Sequence, residues 1–122
     1  MPAMQEQEFT RELIKLLSSH NNFEVLASSD KNVDLLVHDQ TTGKTVAIEF
    51  KDAGSYGELP ISTFLPIADL VQQTDKFQKL LLVSFSKVPD LLRRKLNKLN
   101  VDALTKPSVS QVVERVQLAL SA

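Results

Sequence analysis

Apolar and polar positions along the chain fall into a readable series of elements. From about Gln5 to Ser19, Phe9, Leu13, Leu16, Leu17 and His20 recur at i, i+4, i+7, i+8 and i+11, the spacing of one helix face. Asn21-Asn22 then stops the helix, since asparagine tolerates the left-handed conformation found at helix ends. Phe23 to Ala27 predicts a short strand, and Ser28-Ser29-Asp30-Lys31-Asn32 a polar turn. Val33 to His38 and Thr45 to Lys51 predict two more strands, joined by the hairpin-like turn Asp39-Gln40-Thr41-Thr42-Gly43-Lys44.

The next segment, Asp52 to Pro60, holds two glycines and a proline without periodicity and reads as a loop. A second helix follows over about Thr63 to Thr74, where Pro66 is tolerated because first-turn amides have no intrahelical acceptor. Lys79 to Phe85, with Leu80-Leu81-Leu82-Val83 unbroken, predicts a strand covered on both faces. Pro89 to Leu99 predicts a helix with Leu91, Leu92, Leu96 and Leu99 inward and Arg93, Arg94, Lys95 and Lys98 mostly outside. Val101 to Leu104 predicts a short strand. Ser108 to Gln111 matches a capping box opening a helix with Val109, Val112, Val113, Val116 and Leu120 on one face. No internal repeat or low-complexity stretch interrupts the series. The expected fold is α/β, in the order α-β-β-β-α-β-α-β-α, with a central mixed sheet flanked by helices.

Composition narrows the picture. A chain of 122 residues is one ordinary domain, expected to span 1–122, and 43% hydrophobic with 24% charged residues is a globular balance. No apolar run reaches the roughly 20 residues of a membrane span, and Met1-Pro2-Ala3-Met4-Gln5-Glu6 lacks a signal region, so the expectation is a cytoplasmic protein without membrane contact. The absence of cysteine excludes disulfides, thiolate zinc sites and cysteine nucleophiles, and a count of only two histidines argues against a histidine-built metal site. A formal net charge of -1 argues against nucleic-acid binding in bulk, but a footprint needs only a local basic patch.

Candidate chemistry sits on the two central strands. Alternation puts Val46, Ile48 and Phe50 on one sheet face and Ala47, Glu49 and Lys51 on the other. If Asp34 lies on the neighbouring strand, its carboxylate meets that of Glu49 at the same edge. Two carboxylates and one ammonium there would suit a hard divalent cation and hydrolysis of a phosphodiester. Each residue also has a simpler role: Asp34 as a strand-end acceptor for backbone amides, Glu49 and Lys51 as an ion pair.

The helix, the Asp-bearing strand with Val33-Asp34-Leu35-Leu36 and the next strand with Ile48-Glu49-Phe50-Lys51 resemble the PD-(D/E)xK, or restriction-endonuclease-like, superfamily. Within it, Thr10-Arg11-Glu12-Leu13-Ile14-Lys15-Leu16-Leu17 is similar to helix one of archaeal-type Holliday-junction resolvases. The likeness covers roughly the first 51 residues. It implies a Mg²⁺-dependent (or Mn²⁺-dependent) DNA endonuclease acting on branched or junction DNA. Asp34, Glu49 and the backbone carbonyl of Phe50 would be the metal ligands, and Lys51 the catalytic amine. Resolvases carry a helix-one glutamate where this chain has Thr10; Glu6, one turn earlier, is the candidate replacement.

For nucleic-acid contact, Arg93, Arg94, Lys95 and Lys98 form a candidate phosphate-tracking face, with an ordinary solvated face as the alternative, and Tyr56 would stack on a base or simply pack at a rim. Ser28 and Ser29 read as turn serines and His20 as a helix-end histidine. A homodimer is expected, since symmetric cutting of two strands needs two sites, and the valine-rich last helix or the leucine-rich helix before it would supply the contact. The competing reading is a catalytically degenerate protein of the same fold, serving as a nucleic-acid-binding or assembly module. The third is an unrelated α/β protein in which the motif is coincidence.

Overall fold

The computed structural model describes residues 2–28 and 33–121, with side chains from Glu6 onward. The expected turn residues Ser29, Asp30, Lys31 and Asn32 lie outside the described residues. Helix α1 (Pro2–Ser18) is followed by strands β1 (Phe23–Ala27), β2 (Leu35–Asp39) and β3 (Thr45–Lys51). After them come α2 (Phe64–Gln73), β4 (Lys79–Ser84), α3 (Asp90–Asn97), β5 (Val101–Thr105) and α4 (Val109–Ser121). A 3-10 turn, Gly54–Tyr56, interrupts the Asp52–Pro60 stretch that the sequence suggested was plain loop, and a second, Ile61–Thr63, leads into α2.

The five strands form one sheet in chain order. β1, β2 and β3 pair antiparallel, while β3–β4 and β4–β5 are parallel, so β3 is where hairpin connections give way to helical crossovers. Two cores result from strand alternation. Val46, Ile48 and Phe50 of β3, with Leu81 and Val83 of β4, pack against Leu13 and Leu17 of α1 and Val112, Val116 and Leu120 of α4. Ala47, Leu80 and Leu82 face the other way, onto Ile67 and Leu70 of α2 and Leu92 and Leu96 of α3. Covering on both faces accounts for the unbroken apolar run of β4.

Local signals hold where a mechanism stands behind them. Ser108 Oγ accepts the Gln111 N–H at 3.1 Å while Gln111 Oε1 accepts the Ser108 N–H at 2.7 Å, a reciprocal capping box ahead of α4. The buried Asp39 carboxylate accepts the Thr41 N–H and the Thr42 hydroxyl, which folds the β2–β3 turn back on itself. Gly43 occupies the left-handed region there, with φ +76°.

Three expectations change. β2 begins at Leu35, so Asp34 precedes the strand. Leu91 is 54% exposed, because the buried line of α3 runs through Leu92 and Leu96, and Leu16 falls at the margin of the α1 stripe. The valines of α4 and the leucines Leu92 and Leu96 of α3 pack into the chain's own cores, so the large apolar side chains those helices still expose are Leu91 and Leu118.

Candidate functional site

The site builds up at the start of β2 and the end of β3. The last registered pair of that hairpin is Leu35 with Ile48, and the continuation of the register sets Asp34 opposite Glu49. Here the ladder is irregular: the Asp34 N–H donates to the Ile48 carbonyl at 2.9 Å, and the Asp34 carboxylate Oδ2 accepts the Phe50 N–H at 2.7 Å. A side chain thus takes the place of the backbone acceptor that a longer β2 would supply. A strand residue's N–H and C=O emerge on the same strand edge, so the Phe50 carbonyl also points towards this gap.

Glu49 is buried, at 3% exposure, and leaves β3 on the Ala47 side of the sheet. The Lys51 ammonium stands 3.4 Å from its Oε1. Asp34 instead lines a cavity of about 800 Å³ on the α1 side, together with Glu6, Gln7, Thr10, Arg11, Leu35 and Phe50. Asp34 is therefore tied to the Glu49–Phe50 peptide through the Phe50 amide and opens on the α1 side, whereas Glu49 leaves β3 on the other face. Among the described residues, no three Asp, Glu, His or Cys side chains converge closely enough to hold a metal ion by themselves. The oxygen donors at this edge are two carboxylates and a backbone carbonyl, a chemistry that fits a hard divalent cation.

Helix α1 is fixed over this gap by three aromatic rings. Phe9 meets Phe85 edge-on at 5.3 Å and Phe50 at 6.2 Å, while Phe50 and Phe85 stack at 6.1 Å between centroids. One turn of helix before Phe9 and Thr10, Glu6 comes close enough to Asp34 for the two charges to interact. Burial first, then the charges of Asp34 and Asp52, push its carboxyl above the ordinary value. The Thr10 hydroxyl donates back to the Glu6 carbonyl at 2.8 Å, a bond internal to the helix.

The remaining candidates stand apart from this cavity. Arg93 pairs with Asp90, Arg94 Nε donates to the Asp90 carbonyl, and Lys95 sits over the Phe64 ring at 5.4 Å. Lys98 closes α3, its N–H donating to the Arg94 carbonyl at 3.2 Å. Tyr56, 87% exposed, ends the first 3-10 turn and lines a separate cleft with Pro60, Ile61 and Leu91. His20 packs its ring on Phe23 just beyond α1.

Sequence reasoning missed the support beneath Lys51. Asp52 Oδ1 accepts the Ser86 hydroxyl at 3.0 Å and the Gly54 N–H at 2.9 Å, and Ser86 Oγ accepts the Ala53 N–H at 2.9 Å. Buried Ser84 closes the network by donating to the Ser86 carbonyl. Two serines after an apolar strand look like an ordinary strand end; the only signal in the sequence was their apolar surroundings.

No family model matches the chain, and no curated protein sequence matches it. Among solved structures, part of a repair endonuclease from Pyrococcus abyssi is similar, with a TM-score of 0.51 and 16% identity over 84% of this chain and 47% of that one. A protein of unknown function, AF1548, is similar with a TM-score of 0.57 and 13% identity over 89% of this chain and 66% of that one. The chain thus spans about half of the endonuclease and just under two thirds of the second protein. At these identities the likeness is one of fold: an α/β domain with a central mixed sheet, shared with part of a nuclease.

Proposed function

We propose that the chain is a small Mg²⁺-dependent endonuclease of the restriction-endonuclease-like fold, hydrolysing phosphodiester bonds of DNA. Branched or junction DNA is the substrate class to which the resemblance of the first half points. The observation that carries this reading is the Asp34 carboxylate bonded to the Phe50 amide, one peptide away from Glu49, where β2 has not yet begun. The likeness in fold to part of a repair endonuclease supports it.

Asp34, Glu49 and the Phe50 carbonyl would hold Mg²⁺ or Mn²⁺. Such an ion, when bound, supplies Lewis-acid polarisation of a phosphoryl oxygen and a more acidic water. Lys51, kept beside Glu49 by the ion pair, offsets negative charge that builds on the phosphate, and Glu6 serves as the helix-one carboxylate. Arg93, Arg94, Lys95 and Lys98 track the DNA backbone and Tyr56 stacks at the rim. Two copies act as a homodimer, one on each strand.

The test is cleavage of a panel of branched and linear DNAs with Mg²⁺ or Mn²⁺, comparing the unmodified chain with Lys51→Ala. The expected result is a loss of at least about 100-fold in the variant; equal rates would remove Lys51 from the reaction. A second reading, a non-catalytic nucleic-acid-binding or assembly module, is favoured by Thr10, whose hydroxyl is spent within its own helix where the resemblance calls for a glutamate. Absence of cleavage on every substrate, with no binding of Mn²⁺, would select it.

A further inference from the structure

At the far end of the sheet from the β2–β3 gap lies a cleft of about 560 Å³ lined by Lys44, Lys79, Asn100, Asp102, Arg115 and Leu118, among others. The parallel register pairs Lys79 with Val46 and Ser84 with Lys51, so the length of β4, about 16 Å, separates this cleft from Lys51. A single phosphate group cannot touch both.

Two cationic groups of the cleft converge on Asp102. The Lys79 ammonium lies 3.1 Å and the Arg115 guanidinium 3.4 Å from the same oxygen of Asp102, Oδ2. Lys79 also donates to Asn100 Oδ1 at 3.3 Å, and its side chain is only 22% exposed, so the ammonium is held in place. Lys44, from the β2–β3 turn, makes no ion pair among the described residues. Three cations thus line the cleft, two of them held on its one carboxylate, in a chain whose net charge is -1. Asp102 neutralises one of them and orients two, leaving a positive excess. Next to Arg115 on α4 the lining is apolar, with Leu118 65% exposed beside Ala119.

We infer that this cleft binds a phosphate monoester carrying an apolar or aromatic group, as a nucleoside monophosphate or the 5′-phosphate end of a nucleic acid does. The phosphate sits over Lys44, Lys79 and Arg115, where charge-assisted hydrogen bonds are strongest. The attached group lies against Leu118, and the volume is that of an ordinary small-ligand site. This inference does not rest on the nuclease reading, since none of its residues belongs to the β2–β3 gap.

The experiment is an amide-resonance titration of the full chain in EDTA, which keeps divalent cations out of the proposed metal site. The probes are AMP, adenosine, and a short oligonucleotide with and without a 5′-phosphate. Saturable shifts with AMP at Lys44, Lys79, Asn100, Arg115 and Leu118, weak or absent with adenosine, are expected. Lys44→Gln, which leaves the Asp102 network intact, and Arg115→Gln should each weaken AMP binding about tenfold, as loss of a charge-assisted contact does. Lys51→Ala should leave it unchanged. A stronger response to the phosphorylated oligonucleotide than to AMP would identify a nucleic-acid end as the source of the phosphate; the reverse order would identify a free nucleotide. The inference is overturned if no phosphorylated probe saturates at millimolar concentration, if adenosine binds as well as AMP, or if Lys44→Gln binds AMP undiminished.

Discussion

The carboxylate of Asp34 accepts the backbone N–H of Phe50 at 2.7 Å, which makes one acidic side chain both the continuation of a β-ladder and a member of the candidate site. The two roles separate on substitution. Asp34→Asn keeps an acceptor for the Phe50 amide, so stability should change by less than about 0.5 kcal/mol, whereas Asp34→Ala removes it and should cost about 1–2 kcal/mol. Both should abolish binding of Mn²⁺. Urea unfolding in EDTA beside a calorimetric Mn²⁺ titration checks this. Undiminished Mn²⁺ binding by Asp34→Asn would leave Asp34 as a strand-end acceptor and nothing more.

Glu6 sets a pH dependence. Its carboxyl is raised from 4.5 in the folded chain by burial and by the charges of Asp34 and Asp52, so the fold favours the protonated form. The stability this contributes is fully present below the unfolded value and is lost as pH rises through the folded one. Glu6→Gln stays neutral at every pH. In metal-free melts its melting temperature should therefore exceed that of the unmodified chain at about pH 7, with the difference shrinking towards about pH 4. Addition of Mg²⁺ should narrow the difference at neutral pH, because a cation beside Asp34 relieves the repulsion that raises Glu6. A gap that stays constant across the whole pH range would show that this repulsion is not felt.

Ser86 should matter more than its chemistry suggests. Its buried hydroxyl donates to Asp52 and accepts from the Ala53 amide, holding the segment that leaves Lys51. Ser86→Ala strands that amide, and the expected loss is about 1–3 kcal/mol by urea unfolding. A loss below about 0.5 kcal/mol would mean that water replaces the hydroxyl without penalty.

The elements were legible where one physical signal dominated. Strand alternation placed Val46, Ile48 and Phe50 opposite Ala47, and the Ser108–Gln111 pair announced α4, because period and cap are written locally. The start of β2 was not legible. Val33 reads as strand, but the Asp34 side chain competes for the ladder and delays pairing by two residues. Nor did helix spacing separate Leu91 from Leu92, since only the position of the sheet decides which leucine faces it. Asp34, Glu49 and Lys51 were singled out as candidates from charge beside apolar strand residues. The bond from Asp34 to the Phe50 amide crosses 16 residues, and the brace from Ser86 joins partners 34 residues apart, neither of which a short window contains.

Because β2 and β3 are successive in the chain, the link between Asp34 and Phe50 spans a separation of 16 residues. Loop-closure entropy grows with length, so this contact can be made before the crossovers to β4 and β5 have closed. A nascent polypeptide that has left the ribosome as far as Lys51 already carries Glu6, Asp34, Glu49 and the amine. What later synthesis contributes is shelter for one of them: β4 pairs Leu82 against Glu49, and α2 and α3 close over that face, so Glu49 is withdrawn from bulk water while Asp34 stays open to it.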